Sequence, residues 1–447
     1  MVSIAKLTTY EIQNLLSKEE LEVLFQIYLH RCFTLKQIYA NFLNDMSYGD
    51  FLNREKEWLE YGIIEEVPFN EENLAIFLTK LGIETVVENF DLPKNIVQDS
   101  LKPTKLENII SNKTIKNGYY RPAELKMLPK AIPHQIHLNQ FVLDFKRLYQ
   151  LSGYDASWEY FDEKYMSMYH RIRPDGLIRF QDTDFFLEED MNTENKAQLM
   201  QKWDHYRSFL SSFEYQKGTQ KIKVLFIIDN TKQIENRKNL VKLTAYDTLF
   251  NFISEKFDII VSTRESLMRM MFHIFIPTIL HQNKKLKDLE QYWKGQGFLI
   301  DAAKPLQENL GNKEFQYYVR KTDESGKLQV ENHRFQEFIV DYYYPDGLVF
   351  IDKLSMYHGI ENSFRFKYKR NSQYILVCEN LSYLRKERKL FELPNSENVF
   401  FTTLHRLYTL PLYEALCQFD GSGNLYCFTD LSLTTRNYNL RKEDENG

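Results

Sequence analysis

Apolar positions in the first ninety residues recur at helical spacing and then give way to short strand-like runs. Ser17 heads a segment through about Arg31 in which Leu21, Leu24, Phe25 and Tyr28 share one face, which predicts a helix. Thr34 opens a second, Leu35–Asn41, and a third is expected from about Ser47 through Tyr61, stopped at Gly62. Ile63–Val67 and Leu74–Thr79 flank the polar turn Asn70–Asn73 as a hairpin, followed by a helix from Lys80 to about Asn89. Three helices and a hairpin predict a winged-helix domain over residues 1–92. Its third helix would enter the major groove, which nominates Asn53, Arg54 and Lys56 as DNA contacts. Glu55, Glu57 and Glu60 share that helix, and Glu65, Glu66, Glu71 and Glu72 crowd the hairpin. A protein-interaction or dimerisation role is therefore equally supported.

Residues 93–133 are polar and punctuated by Pro93, Pro103, Pro122, Pro129 and Pro133, as expected of a linker. Beyond them, a helix from about His134 to Gln150 precedes strand-like runs at Ser157–Tyr160, Arg171–Phe180 and Asp184–Asp190. A helix Thr193–Phe213, the apolar strand Ile222–Ile228, a helix near Asn239–Phe252 and the strand Phe257–Ser262 complete an α/β domain, 134–282. The Lys-rich stretch 283–295 marks a second boundary. The remainder, 283–447, reads as another α/β domain, with strands at Phe335–Tyr343, Gly347–Ile351, Phe364–Lys369, Tyr374–Cys378, Val399–Thr403 and Leu425–Phe428. The expected fold class is a multidomain α+β or α/β chain with a mixed sheet.

Composition narrows the function classes. With 29 Tyr and 33 Phe, the chain is too aromatic to be dominantly disordered. Cys32, Cys378, Cys417 and Cys427 are too scattered for a disulfide scaffold and include no C-x-x-C pair, so a reduced, cytoplasmic chain without structural zinc is expected. The longest apolar stretch, Phe272–Leu280, contains Pro277 and is too short to span a bilayer, and no signal peptide is evident. The net charge of −5 argues against nucleic acid only until it is divided. Residues 1–100 hold 8 basic and 17 acidic side chains, a net of −9, leaving 49 basic and 45 acidic, a net of +4. A phosphate-binding surface is therefore expected beyond residue 100.

The chemistry-bearing stretch is Arg173-Pro174-Asp175-Gly176, followed after a hairpin by Phe185-Phe186-Leu187-Glu188-Glu189-Asp190. Alternation along a strand puts Glu188 and Asp190 on one face. With Asp175 at the head of the neighbouring strand, these carboxylates are placed to share Mg²⁺ or Mn²⁺ beside a scissile phosphate. Lys196 and Lys202, near the apolar face of the following helix, are the lysines available to stabilise the developing charge. The bland alternative is exposed carboxylates at a strand end and solvated lysines.

The order strand, Pro-Asp-Gly, strand, Glu-x-Asp, helix with Lys-x-x-x-Tyr resembles the PD-(D/E)XK nuclease superfamily, and more specifically the replication-relaxation family of bacterial plasmids and mobile elements. The resemblance rests on Leu78-Thr79-Lys80-Leu81-Gly82, His134, Arg173-Pro174-Asp175, Glu188-Glu189-Asp190 with Thr193, and Lys202-Trp203-Asp204-His205-Tyr206, over roughly residues 18–262. It implies that Asp175 and Glu188 bind metal and that Lys202 is the catalytic lysine moved onto the helix. The sequence departs from the pattern at Asp190, which stands where the pattern has Lys, so catalysis would depend on Lys202, and Asp190 is expected to assist. It also implies a bacterial cytoplasmic protein acting on DNA. Some members of the superfamily only bind DNA or protein.

Pro345-Asp346-Gly347-Leu348 echoes Pro174-Asp175-Gly176-Leu177. A degenerate second copy, with Asp346 and Glu379 as relics, is weighed against a simple turn, and the turn is favoured. Phe364–Arg370 alternates aromatic and basic residues, which predicts a strand with Arg365, Lys367 and Lys369 on a DNA-facing side, or else a charge-protected edge. No P-loop and no G-x-S-x-G elbow occurs. Three readings stand: a metal-dependent nickase, a non-catalytic DNA- or protein-binding replication or transfer regulator, and a winged-helix transcription regulator.

Overall fold

The computed structural model describes residues 7–70, 73–92, 122–166, 169, 171–192, 194–216, 218, 220–228, 233–301, 315–331, 334–369, 371, 373–393, 398–419 and 425–427. Most of the expected linker, together with Glu71, Glu72, Thr193 and Phe428, lies outside them. The chain divides into two compact units. One comprises Met1–Gln220, Leu225–Lys232 and Thr263–Met268, and the other Lys221–Val224, Gln233–Ser262 and Arg269–Gly447.

The first unit opens with α1 (Thr9–Leu15), α2 (Lys18–His30), β1 (Phe33–Thr34), α3 (Leu35–Phe42) and α4 (Tyr48–Glu60). Reciprocal capping boxes start three of these helices: Thr8 with Glu11, Ser17 with Glu20, and Thr34 with Gln37. Each box satisfies backbone donors that a helix start leaves bare. β2 (Ile64–Pro68) and β3 (Leu74–Leu78) pair antiparallel, and β1 joins them in the order β1-β3-β2. α5 (Lys80–Asn89) closes the layer. Leu24, Ile27, Phe33, Ile38, Phe51, Trp58, Ile76 and Val86 form its dry core. Gly82 sits where a Cβ would lie 2.1 Å from the Ile63 carbonyl oxygen, so only glycine permits this approach of α5 to the hairpin.

α6 (Ile132–Ser152) buries Leu138, Phe141, Val142 and Phe145 and ends on Gly153 in the left-handed conformation. The strands that follow are β4 (Trp158–Asp162), β5 (Gly176–Phe180), β6 (Thr183–Asp190), β7 (Lys221–Ile228) and β8 (Phe257–Thr263), in that order across a five-stranded sheet. β6 is buried along its whole length, its polar ends included. α7 (Lys196–Leu210) starts at Asn195, whose side chain forms a capping box with Gln198, and buries Leu199, Trp203, Tyr206 and Leu210.

The second unit contains α8 (Ile234–Leu249), α9 (Lys284–Gly295), β9 (Leu299–Asp301), β10 (Tyr317–Arg320), a small ribbon of β11 (Val330–Glu331) with β12 (Arg334–Phe335), and β13 (Glu337–Tyr342). α10 (Val349–Tyr368), β14 (Tyr374–Cys378), α11 (Leu381–Phe391), β15 (Val399–Thr403), β16 (Cys417–Phe419) and β17 (Leu425–Cys427) follow. Its seven-stranded sheet has the order β17-β16-β15-β14-β13-β10-β9, parallel at β13-β14-β15 and antiparallel elsewhere. Trp293, Phe338, Val340, Ile375, Val377 and Phe400 pack its core. The multidomain α/β architecture with a mixed sheet is as expected.

Three local expectations are corrected. Gly347–Ile351 and Phe364–Lys369 are not strands; most of the first and nearly all of the second belong to α10. The buried Asp258 carboxylate accepts from the Leu348 and Val349 N–H groups, 3.0 Å each, and so satisfies the helix start. The aromatic–basic alternation misleads because the end of α10 protrudes: Phe364 is buried while Phe366 is 78% exposed. The reduced-cysteine expectation holds for Cys32 and Cys378, both buried and free, but Cys417 is disulfide-bonded. Backbone register sets Cys417 opposite Cys427. Among the described residues, no helix is long and apolar enough to cross a membrane.

Candidate active site

The antiparallel register of β5 and β6 builds the site. Gly176 pairs with Leu187, and the Asp175 N–H continues the ladder by donating to the Leu187 carbonyl at 3.0 Å. One step outward, Asp175 therefore stands across from Glu188. Facing residues on paired strands share a neighbourhood of about 5 Å. Two carboxylates separated by a hairpin in sequence thus become neighbours at one end of the sheet.

α7 supplies the counter-charge. Lys202 Nζ lies 2.9 Å from Glu188 Oε2 and 3.2 Å from Glu194 Oε1, and the Tyr206 hydroxyl donates to Glu188 Oε1 at 2.6 Å. Lys202 and Tyr206 are one turn apart, so both reach the same carboxylate from one helix face. The stem of Lys202 is steered by the Phe226 ring, whose centroid is 5.3 Å from Nζ. Asp175 is held differently. Its Oδ2 accepts from the Glu189 N–H at 2.8 Å and pairs with His134 Nε2 at 3.2 Å. The same His134 nitrogen lies 3.2 Å from the Glu189 carbonyl oxygen.

These contacts separate the titration of the two acids. Burial disfavours the Asp175 carboxylate, but His134 and Lys202 outweigh it and hold Asp175 below its usual value. Burial dominates at Glu188, which stays above the usual carboxylate range despite Lys202 and Tyr206. Burial likewise opposes the charged forms of Lys202 and His134, yet the carboxylates beside them prevail. Lys202 is raised, and His134 is raised to about 9.

The fit of a divalent cation rests on this donor set. Asp175 Oδ1 accepts no hydrogen bond from the described residues and is available as a hard oxygen ligand. Both Glu188 oxygens are engaged, so Glu188 would have to release Lys202 or Tyr206 to ligate. No group of three or more His, Cys, Asp and Glu side chains among the described residues is arranged to hold a metal. Two carboxylates remain sufficient for Mg²⁺, which keeps several waters and takes phosphate oxygens.

Asp190, placed by the sequence pattern on the Glu188 face, is buried and its Oδ1 accepts from the Asn192 N–H at 3.0 Å, closing the turn after β6. Tyr206 is singled out by the sequence only as a core residue, although its spacing from Lys202 signals the shared target. His134 is marked in the sequence only through the family resemblance, with no partner attached; the packing of α6 brings it to Asp175.

Of the nominated DNA contacts, Asn53 and Lys56 are exposed on α4. Arg54 is committed within the fold: its Nε and NH2 groups bond the two oxygens of buried Glu20 at 2.7 and 2.8 Å. Arg365, Lys367 and Lys369 are exposed around the last turn of α10, not along one strand face. There they complement the negative end of the helix dipole. Lys196 opens α7 as an exposed residue, while Lys202 is the lysine at the carboxylates.

No curated protein and no solved structure matches the chain. A family model described as replication-relaxation matches residues 108–225, the span that contains His134, Asp175, Glu188, Lys202 and Tyr206. The chain carries a replication-relaxation domain over residues 108–225.

Proposed function

We propose that the chain processes DNA during replication or relaxation of a plasmid or other mobile element, by metal-dependent nicking or cleavage. The observation that carries this reading is the β5–β6 register, which sets Asp175 across from Glu188 with the Lys202 ammonium at the pair. When bound, Mg²⁺ or Mn²⁺ would polarise the scissile phosphate and lower the pKa of its water. Asp175 and Glu188 would hold it. Lys202 sits where it would stabilise negative charge gathering on the phosphate, and Tyr206 and His134 fix the two carboxylates. Asp190 keeps the strand end in shape. The winged-helix-like α1–α5 module, with Asn53 and Lys56 on α4, and the basic end of α10 with Arg365, Lys367 and Lys369 would provide further DNA contacts. The acidic N-terminal region suits a protein partner or self-association as well. The chain acts in the bacterial cytoplasm on this reading.

Nicking of supercoiled plasmid in Mg²⁺ or Mn²⁺ tests it. Wild type is expected to convert the plasmid to open circles, and Asp175→Ala to lose about 100-fold or more of that rate. Identical behaviour of the two proteins on every DNA tested sinks the assignment.

A second reading has its own support. Both Glu188 oxygens are bonded within the protein, an arrangement equally suited to a structural buried pair. On that reading the protein binds DNA or a partner without cutting, as a replication, transfer or transcription regulator. DNA binding that is indifferent to EDTA and unaccompanied by nicking would establish it.

A further inference from the structure

The second unit holds a cavity of about 450 Å³, within the size range of small-molecule sites. α8 and α11 supply most of its lining, and Asp346 contributes to it. Lys242, 2% exposed, is among its lining residues. Its Nζ is 2.9 Å from Asp346 Oδ1 and also bonds Glu387 Oε1. Lys238 reaches the same Asp346 oxygen at 2.7 Å, and the Ser262 hydroxyl donates to Asp346 Oδ2 at 2.6 Å. Asp346 is thus satisfied on both oxygens, and these bonds hold it in the left-handed conformation at φ 69°.

Two features are left over. Glu387 is buried at 7% exposure, and its Oε2 atom has no hydrogen-bond partner. A buried carboxylate oxygen without a donor is costly and unusual in a folded protein. From the same helix, Lys386 and Lys389 line the cavity as exposed ammonium groups that make no ion pair with a described residue. Tyr383, 38% exposed, presents its ring at the same wall.

A matching ligand needs an anionic group for Lys386 and Lys389 and a hydrogen-bond donor for Glu387 Oε2. A bare cation fails the first demand. Inorganic phosphate would leave most of a cavity of about 450 Å³ empty. We propose that this cavity binds a small phosphate monoester carrying hydroxyl or amino donors, of the nucleoside monophosphate or sugar phosphate class. The phosphate meets Lys386 and Lys389, a ligand O–H or N–H satisfies Glu387, and Tyr383 offers a stacking surface to a base. This site is independent of the nuclease reading.

Calorimetric titration of the full chain in EDTA with AMP, ribose 5-phosphate and inorganic phosphate tests the proposal. At least one ester is expected to bind saturably, and the Lys386→Gln/Lys389→Gln variant to bind it about tenfold or more weakly. Both lysines are exposed, and an unchanged thermal midpoint confirms that the variant is folded. Tyr383→Ala separates the sources: loss confined to AMP assigns the nucleotide, and no loss for either ester assigns the sugar phosphate. No saturable binding of either ester, wild-type affinity in the double variant, or inorganic phosphate binding as tightly as the esters overturns the proposal.

Discussion

Lys202 and Tyr206, one turn apart on α7, together occupy both oxygens of Glu188, at 2.9 and 2.6 Å. Glu188 is 3% exposed, so its charge depends on these two donors. Removing one partner from a buried ion pair typically costs about 3–5 kcal/mol. Lys202 is partly exposed, so Lys202→Ala is expected at the low end, about 3 kcal/mol, in urea unfolding. Tyr206→Phe should cost about 1–3 kcal/mol for the unsatisfied oxygen. A Lys202→Ala variant of wild-type stability would show that Glu188 is neutral in the folded protein.

His134 gives the metal-free protein a pH-dependent stability. Its pKa is raised from 6.5 to about 9, because Asp175 overcomes the burial penalty on the imidazolium. The folded state therefore binds the proton more tightly. The stabilisation is complete below pH 6.5 and disappears as pH rises through 9. With about a third of the side chain facing water, roughly 1 kcal/mol is expected. Thermal midpoints of wild type in EDTA should fall over this window relative to His134→Asn. Parallel curves would remove the imidazolium from the site.

Arg54 and Lys56 share α4 but should behave oppositely. Arg54→Ala strands buried Glu20 and is expected to cost about 2–3 kcal/mol. Lys56→Ala, with an exposed side chain, should stay within about 0.5 kcal/mol of wild type. If α4 lies on DNA, Lys56→Ala should reduce the salt slope of binding by about 1. Titrations of both variants at several salt concentrations separate the roles.

Gly82→Ala should destabilise the first unit by about 1–3 kcal/mol, since a methyl there meets the Ile63 carbonyl at 2.1 Å. Denaturant unfolding measures this directly. An unperturbed midpoint would mean that α5 can move off the hairpin at little cost.

How much of this was legible in the chain depends on the range of the interactions. Capping residues, glycine stops and apolar periodicity are local, and they place α2, α3, α4 and α5 close to where they occur. The acidic end of β6 and the Pro-Asp-Gly before β5 are also local, and a hairpin of this length leaves little freedom in how Asp175 meets Glu188. The misreading at Phe364–Lys369 has the same origin in reverse. Alternation of aromatic and basic residues is a strand pattern only where one face is buried, and there the helix end protrudes.

Tertiary structure decided the rest. Spacing left Lys196 and Lys202 both open and only the resemblance favoured Lys202, which the packing of α7 brings to Glu188; the pairing of His134 with Asp175 needed the packing of α6. Arg54 became a partner of Glu20 because α2 and α4 bury that carboxylate together. The meeting of Lys242 with Asp346 and with Glu387 joins residues 104 positions apart in the first case and 145 in the second. Sequence patterns report which face of an element seeks the core. They carry no record of which distant charge will be waiting there, because that depends on long-range packing.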